Sequence, residues 1–508
     1  MILIHPPVAK PCEPPGGIAK LAGTLEHHGV KHAVLDANLE GLLSLLLGPA
    51  TATDRWTLRA FRNRHQHLAA LRKPSIYSTP DRYRRSVSDI NRLAETAARG
   101  KSVQLSLANY QHLTLSPLRS ADLRQAARHP KDNPFYDYFK DRLETMFERK
   151  QPSIVGFSMN YLSQALSTFA MLGFIRRRWP ELTLVVGGGL LTSWMQQPDW
   201  QNPFEDLVDH LVAGPGETAL LSMLGIPGSQ ASPTAAYRPA YRLFPLADYL
   251  APGVILPYSA STGCYWNRCA FCPEKAEGNP YVPVPVDRVM EDLAVLVRQT
   301  APTLIHFLDN AVSPALMDAI IKHPPGVEWY GFARANRHLA DLEFCRDLKR
   351  SGCNMLKLGL ESGDQSVLDG EQKGIDLVLA SRTLRNLKKV GIAAYVYLLF
   401  GTPSETITKA RTTLEFTVKH GQEIDFLNLA IFNLPRCAAQ AQQFETNMLY
   451  EGDLSLYTGF RHPKGWDRRS VRQFLDKEFK RHPVVRRIML QDPPLFTSNH
   501  AAFFDFGF

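Results

Sequence analysis

The sequence predicts an α/β chain built in two blocks. The first is a Rossmann-like N-terminal domain with a helical insertion. The second is a partial (β/α)6 barrel of the TIM type. Three observations predict this. Short apolar strands alternate with helical periodicity over residues 1–225 and again beyond residue 250. The stretch 49–151 interrupts the first block with no strand patterning. The second block holds six strand–helix units in roughly 190 residues, where a complete barrel needs about eight. A chain of 508 residues suits two to four domains at roughly 100–200 residues each.

The chain opens on an apolar strand, ILIH at 2–5, followed by the Pro/Gly-rich loop PPVAKPCEPPGG. The helical pattern IAKLAGTLEHHG follows, with Gly29 as its C-cap, and then the strand HAVLDAN. This is a βαβ opening, the unit of parallel sheets. The pattern stops near 48 and resumes near 152 with SIVGFSMN, the helix ALSTFAMLGFIRRRW, the buried strand LTLVVGGG and the strand–turn–helix DHLVAGPGETALLSML. The N-terminal domain is therefore 1–225, with 49–151 inserted in it. Residues 226–250, rich in Pro, Ala, Ser and Tyr, read as a linker.

Barrel strands are expected at 254–262, 303–310, 328–335, 354–362, 393–401 and 425–433, which bounds the barrel at 251–440. A C-terminal extension, 441–508, is aromatic and basic. Its end, FTSNHAAFFDFGF, is too apolar for a free tail.

Composition narrows the function classes. The hydrophobic fraction of 44% is ordinary for a globular protein. No apolar run is long enough to span a bilayer, and the N-terminus has no secretory pattern, so the expected location is the cytoplasm without membrane partners. Seven cysteines, at 12, 264, 269, 272, 345, 353 and 437, are too few and odd in number for a disulfide framework. The net charge is +9 and the pI about 9.1. Residues 51–150 hold 20 Lys and Arg against 10 Asp and Glu, so the excess lies in the insertion. A basic segment attracts nucleic acid or anionic ligands, but a solvated helical surface explains it more simply.

Three cysteines fall within nine residues in STGCYWNRCAFCPEK. This is a C-x4-C-x2-C spacing directly after the first barrel strand, at the end of the barrel where chemistry is placed. Structural zinc takes four ligands, and no fourth Cys or His lies nearby. An iron–sulfur cluster held by Cys264, Cys269 and Cys272 leaves one iron open, which fits three thiolates better.

This segment resembles the radical S-adenosylmethionine (SAM) superfamily, whose loop is usually C-x3-C-x2-C with an aromatic residue before the last Cys. Phe271 matches that aromatic; one extra residue separates Cys264 from Cys269. FARANRHL at 332–339, GLESGDQSVL at 359–368 and LLFGTPSET at 398–406 are similar to the family's later strand ends. The resemblance implies a [4Fe–4S] cluster whose open iron binds SAM. It implies reductive cleavage of SAM to methionine and a 5′-deoxyadenosyl radical, with an electron donor such as flavodoxin or ferredoxin. By position it puts Phe271, Asp309, Asn310, Glu361 and Ser362 near SAM. It sets Arg334 against the SAM carboxylate and Gly401 beside the adenine. No further catalytic residue is assigned.

The N-terminal pieces ILIHPPVAKPCEPPGGIAKLAGTLEHHGV, VGFSMNYLSQAL, LVVGGGLLTSW and DHLVAGPGETAL resemble the cobalamin-binding domain that precedes many radical SAM barrels. The resemblance makes Gly187, Gly188 and Gly189 the floor for a flat cofactor. The family's D-x-H-x-x-G loop is missing, so cobalt would lack a histidine from that loop. The expectation is a cobalamin-dependent radical SAM enzyme, a methyltransferase to an unactivated carbon of a small molecule or peptide. Two alternatives stand beside it. One is a radical SAM enzyme without cobalamin, doing rearrangement or oxidation. The other is a non-catalytic metal-containing protein that binds RNA through aromatic residues interleaved in the basic insertion: Tyr77, Tyr83, Tyr110, Phe135, Tyr136 and Tyr138. Cys12 and Cys437 lie in mouth-facing loops, and Tyr395, Tyr397 and Asn428 alternate on strands so as to line the barrel, with packing as their simpler reading.

Overall fold

The computed structural model describes residues 1–49, 54–226, 237–493 and 500–505. The chain divides into two compact units. The first is Met1–Ile255 with 450–456; the second is Leu256–Leu449 and Tyr457–Pro493 with 500–505.

The first unit is built on a five-stranded sheet. Its strands are β1 (Ile2–His5), β2 (Ala33–Asp36), β5 (Ile154–Ser158), β6 (Thr183–Gly187) and β7 (His210–Leu211), in the order β2-β1-β5-β6-β7. Every pairing is parallel. All four β1 residues are buried, as expected for a strand covered on both faces. Helix α1 (Gly16–His27) follows β1, and α2 (Ala37–Leu47) follows β2 directly. Asp36 ends β2 and caps α2, accepting from the Leu39 amide at 2.9 Å, and its other oxygen accepts from the Tyr249 hydroxyl at 2.5 Å. Helix α7 (Leu162–Arg178) is buried on nearly every side from Gln164 to Ile175.

The insertion carries α3 (Arg55–Leu71), α4 (Pro80–Ala97), α5 (Ser120–Arg128) and α6 (Tyr136–Lys150). It also holds one element that the residue pattern did not announce, a hairpin of β3 (Val103–Leu105) and β4 (Tyr110–His112). Three-residue strands are too short to show alternation. Tyr77, Tyr83, Tyr110 and Phe135 are all buried, while Arg62, Arg82, Arg85 and Arg92 are exposed. These four build the insertion's core and are not available to stack on bases; Tyr136 and Tyr138 are half-buried, and the exposed arginines form a solvated charged surface.

The expected linker at 226–250 is corrected in its second half; 227–236 lie outside the described residues. Tyr237, Tyr241, Tyr249 and Leu250 are buried, and the Ala240 amide donates to the Ala19 carbonyl at 2.8 Å. Gly23 of α1 faces the Arg238 carbonyl so closely that a Cβ would lie 1.9 Å from it. This segment is packed structure. Its aromatic residues, read as linker composition, are buried side chains.

The second unit is a six-stranded partial barrel. Its strands are β8 (Ile255–Tyr258), β11 (Leu304–Phe307), β12 (Glu328–Ala333), β13 (Cys353–Glu361), β14 (Ala393–Phe400) and β15 (Phe426–Ile431). They run in sequence order across the sheet, with parallel pairing from β11 to β15. The first expected strand, 254–262, is broken in two. Beyond β8 the chain turns into β9 (Ser261–Thr262), which pairs antiparallel with β10 (Val282–Pro283).

Alternation sorts the faces. Leu358, Leu360 and Val396 meet Ala380 and Leu384 of α8 (Leu377–Val390) on the outside. Tyr330, Phe332, Lys357, Gly359, Glu361, Tyr395, Tyr397 and Asn428 share the opposite, inner face by register. The aromatic end of the chain is partly described. The His500 ring lies 4.4 Å from that of Tyr395 and 4.9 Å from that of Phe426. Ala501, Ala502 and Phe503 are buried. Among the described residues no helix is long and apolar enough to cross a membrane.

Candidate active site

The cysteine loop leaves the barrel after β9, and its stem is tied to the second strand end. Asp309, 3% exposed, accepts from the Ala260 amide at 3.0 Å and from the Ser261 hydroxyl at 2.5 Å. Burial pushes its carboxyl up, and these bonds pull it back. Asn310 donates to the Gly263 carbonyl at 3.2 Å. The two residues expected to face SAM therefore spend these polar contacts on the root of the loop.

All three loop cysteines are free thiols, with Cys269 buried and Cys264 and Cys272 half-buried. Cys264 and Cys269, and Cys269 and Cys272, feel one another's charge. Burial raises the Cys269 thiol, whereas Lys373 and then Arg334 favour its thiolate. Burial also raises the Cys272 thiol, opposed by the amides of Lys275 and Glu274 directed at its sulfur. Among the described residues no three His, Cys, Asp or Glu side chains are gathered into a ready metal cage. What fits a cluster is the donor chemistry: three soft ligands on one loop, with two cations beside them to offset thiolate charge.

The path of the loop follows from one tryptophan. Trp266, in the four-residue span between Cys264 and Cys269, donates through Nε1 to the Gln372 carbonyl at 3.0 Å. Its ring lies against Gly374, where an added Cβ would come within 2.0 Å of it. Gly374 has φ +64°, a second reason for glycine there. The Arg334 guanidinium lies 4.3 Å from the Trp266 centroid and that of Arg268 lies 5.2 Å away. Arg334 also donates to the Lys373 carbonyl, and the Ala270 amide donates to the Glu371 carbonyl at 2.9 Å. Three contacts thus fasten the loop to residues 371–374, and Arg334, lying against the Trp266 ring, adds a fourth from the end of β12.

That segment carries Lys373, whose ammonium bonds Glu361 at 2.9 Å and lies 5.4 Å from the Phe271 centroid. The pair is largely buried, with side chains 8% and 18% exposed. Glu361 has φ +69° where the register between β13 and β14 slips. Such strain in a non-glycine residue is a mark of functional positions.

Phe271, Arg334 and Glu361 are therefore brought together around Cys269, with Lys373 and Trp266 as the links between them. Sequence reasoning missed those two. The one available signal was the aromatic residue in the lengthened cysteine spacing.

Ser362 and Gly401 are placed elsewhere. Ser362 is fully buried, and its hydroxyl is shared between Thr413 at 3.1 Å and the Asp364 amide at 3.1 Å. Gly401 has φ +84°, and a Cβ there would meet Val471 at 3.2 Å. Its amide donates to Glu405 at 2.5 Å. Glu405 is fully buried, also accepts from the Trp466 indole at 2.7 Å, and has its carboxyl raised to about 7 by burial.

In the first unit the three glycines part company. Gly188 has φ +107°, and a Cβ would lie 2.5 Å from the Met159 carbonyl oxygen, so backbone packing alone accounts for it. Gly187 faces the Val212 carbonyl across the sheet. Gly189 is exposed, and its amide donates to Asn160 at 2.9 Å.

Residues 258–417, the stretch that carries the cysteine loop, match the radical SAM superfamily. A hopanoid C-3 methylase from Methylococcus capsulatus (strain ATCC 33009 / NCIMB 11132 / Bath) is 23% identical over 279 residues. That alignment covers 49% of this chain and 53% of the methylase, so the chain spans about half the length of this curated relative. Two structures of the radical SAM methyltransferase TsrM from Kitasatospora setae share the fold. The one with tryptophan substrate and the SAM analog aza-SAM has a TM-score of 0.51 and 16% identity, covering 89% of this chain and 79% of that one. The one with cobalamin and a [4Fe-4S] cluster has a TM-score of 0.51 and 15% identity, covering 89% and 81%.

Proposed function

We propose that the chain is a cobalamin-dependent radical SAM methyltransferase acting on a carbon that lacks an activating group. The observation that carries the reading is the cysteine loop anchored on 371–374, which sets three thiols beside Arg334 and Lys373. When bound, a [4Fe–4S] cluster supplies the electron that splits a C–S bond of SAM into methionine and a 5′-deoxyadenosyl radical. Cys264, Cys269 and Cys272 would hold it. Arg334 and Lys373 offset its charge, and Glu361 keeps Lys373 in place. Phe271 and the indole of Trp266 shield the inner side of the loop from water.

Cobalamin, when bound, carries the methyl group. Similarity to a hopanoid methylase and to a methyltransferase that binds cobalamin supports that branch. Half-buried Asn160 and exposed Gly189, at the ends of the central strands β5 and β6, are the part of the N-terminal rim that would meet a flat ligand. The explained packing of Gly188 favours a second reading, in which the N-terminal domain keeps the fold without the cofactor. We place the enzyme in the cytoplasm, reduced by a small flavodoxin- or ferredoxin-type donor.

Anaerobic reconstitution with iron and sulfide, followed by SAM and a strong reductant, tests both steps. The expected product is 5′-deoxyadenosine, reduced to background in Cys269→Ala, with S-adenosylhomocysteine appearing only when cobalamin is added. A fully loaded protein that leaves SAM intact overturns the reading. SAM cleavage with no cobalamin absorbance retained after gel filtration selects the second one.

A further inference from the structure

The C-terminal part of the second unit concentrates positive charge. Residues 461–481 hold eight Lys and Arg against three Asp and Glu. Helix α9 (Arg468–Phe474) runs on into a π-helical turn at Leu475–Phe479. Val471, Phe474, Leu475 and Phe479 are buried, and the rings of Phe474 and Phe479 lie 6.1 and 5.2 Å from that of Phe400 at the end of β14. The outer side presents Arg468, Arg469, Arg472, Gln473, Asp476 and Lys477 along an open groove of about 420 Å³.

The acids of the segment are already engaged. Asp467 caps α9 on the Ser470 amide at 2.8 Å, Asp476 pairs with Lys480 at 2.7 Å, and Glu478 pairs with Arg411 at 2.8 Å. Arg469, Arg472 and Lys477 are exposed, and among the described residues none of them has a carboxylate within ion-pair distance. The charge continues toward the barrel rim at exposed Lys464, which shares the Ser404 carbonyl with Lys409, at 2.8 and 3.1 Å. The Ser404 amide donates to Glu371 at 3.1 Å, and the Glu371 carbonyl accepts from the amide of Ala270, next to Cys269, at 2.9 Å. The basic face is thus joined to the cysteine loop through two residues.

Cations without counter-charges on a packed helix attract and orient an anionic surface. Three such surfaces differ in what else they need. Single-stranded nucleic acid needs exposed rings for its bases, and Trp466, Phe474 and Phe479 are buried. Stable seating of an amphipathic helix on a membrane needs its apolar face, and that of α9 is spent on the barrel. A folded acidic protein needs only the cations. We propose that Lys464, Arg469, Arg472 and Lys477 form the docking surface for a small acidic one-electron carrier protein. The inference rests on the proposed function, which requires a reductant from outside the chain. One electron leaves the carrier and enters the cluster; no proton moves and no bond changes at the interface.

The test uses the full chain and two carriers, a bacterial flavodoxin and a plant-type ferredoxin, with binding followed by calorimetry at about 50 and about 300 mM salt. The wild type is expected to bind at least one carrier at low salt, and at least about tenfold more weakly at high salt. The triple variant Arg469→Gln, Arg472→Gln, Lys477→Gln is expected to lose at least about tenfold in affinity at low salt and to flatten the salt dependence. In the reconstituted enzyme the same variant raises the KM for the carrier in SAM cleavage, while cleavage driven by dithionite keeps the wild-type rate. Circular dichroism verifies the fold. If the triple variant does not fold, Arg469→Gln and Lys477→Gln replace it singly, each with a loss of about threefold. No binding of either carrier, binding insensitive to salt, or undiminished binding by the variant overturns the proposal. Tighter binding of a poly(U) oligonucleotide, or of vesicles rich in phosphatidylglycerol, also overturns it and gives the face to that ligand. Salt-sensitive carrier binding without dithionite-driven SAM cleavage removes the reaction assignment and leaves the docking surface; cleavage without carrier binding does the reverse.

Discussion

The rim of the N-terminal sheet and the rim of the barrel are both sets of loops at the ends of parallel strands, yet they are held in different ways. At the barrel rim, side chains from distant segments tie the loops together: Trp266 on Gly374, Arg334 on Lys373, Lys373 on Glu361. At the N-terminal rim, neighbouring segments hold through backbone, with Gly188 pressed on the Met159 backbone and the Gly189 amide held by the short Asn160 side chain. A glycine run at a strand end is therefore not by itself the print of a cofactor. At Gly188 it marks two backbones in contact, and at Gly374 it marks a ring that needs the room.

Gly188→Ala is the sharpest way to break that contrast. With φ +107° and backbone at 2.5 Å, it should cost about 3 kcal/mol or more and lower the melting temperature of the apo-protein. Loss of cobalamin affinity at unchanged melting temperature would return Gly188 to the cofactor. Lys373→Met comes next, because it strands Glu361 as a largely buried charge. About 3 kcal/mol of stability should go, with lower iron content after reconstitution, and Lys373→Arg should restore part of both. An unchanged iron content would detach residues 371–374 from the cysteine loop.

Glu405 supplies a pH signature for the barrel. Its carboxyl is raised from 4.5 to about 7 by burial, so the folded state holds its proton more tightly than the unfolded chain. Its contribution is complete below pH about 4.5 and is lost as pH rises through about 7, amounting to about 3 kcal/mol. Glu405→Gln should flatten chemical-denaturation stability over that window; an unaltered slope would place the titration elsewhere. The smallest effect is expected at Gly189→Ala. The site is exposed with ordinary clearance, so stability should change by less than about 1 kcal/mol. A large loss would show that the two rims are not so different.

Much of the fold was legible because periodicity survives in single segments. ILIH, LTLVVGG and the six barrel strands announce themselves through unbroken or alternating apolar residues. The three cysteines were legible because soft ligands cluster in sequence when one loop must supply them all. Ser362 and Gly401 show the limit. Their motifs were recognised, but their polar contacts turned out to lie with Thr413, Asp364 and Glu405, which no local pattern reveals. The reading of 237–250 as linker failed for a related reason. A Tyr- and Pro-rich stretch looks solvated until the surface that buries it is known, as the Ala240–Ala19 bond demonstrates.

The sequence by itself determined the alternation of strands and helices, the division into two blocks, and the chemistry of the cysteine loop, because each is written within a few turns or strands. Only the tertiary structure decided that Trp266 locks the loop to 371–374 and that Lys373 stands between Glu361 and Phe271. Those side chains lie up to 107 positions apart (Trp266 to Lys373). Nothing in a linear pattern encodes a meeting that depends on strand register and on the folding of one loop over another.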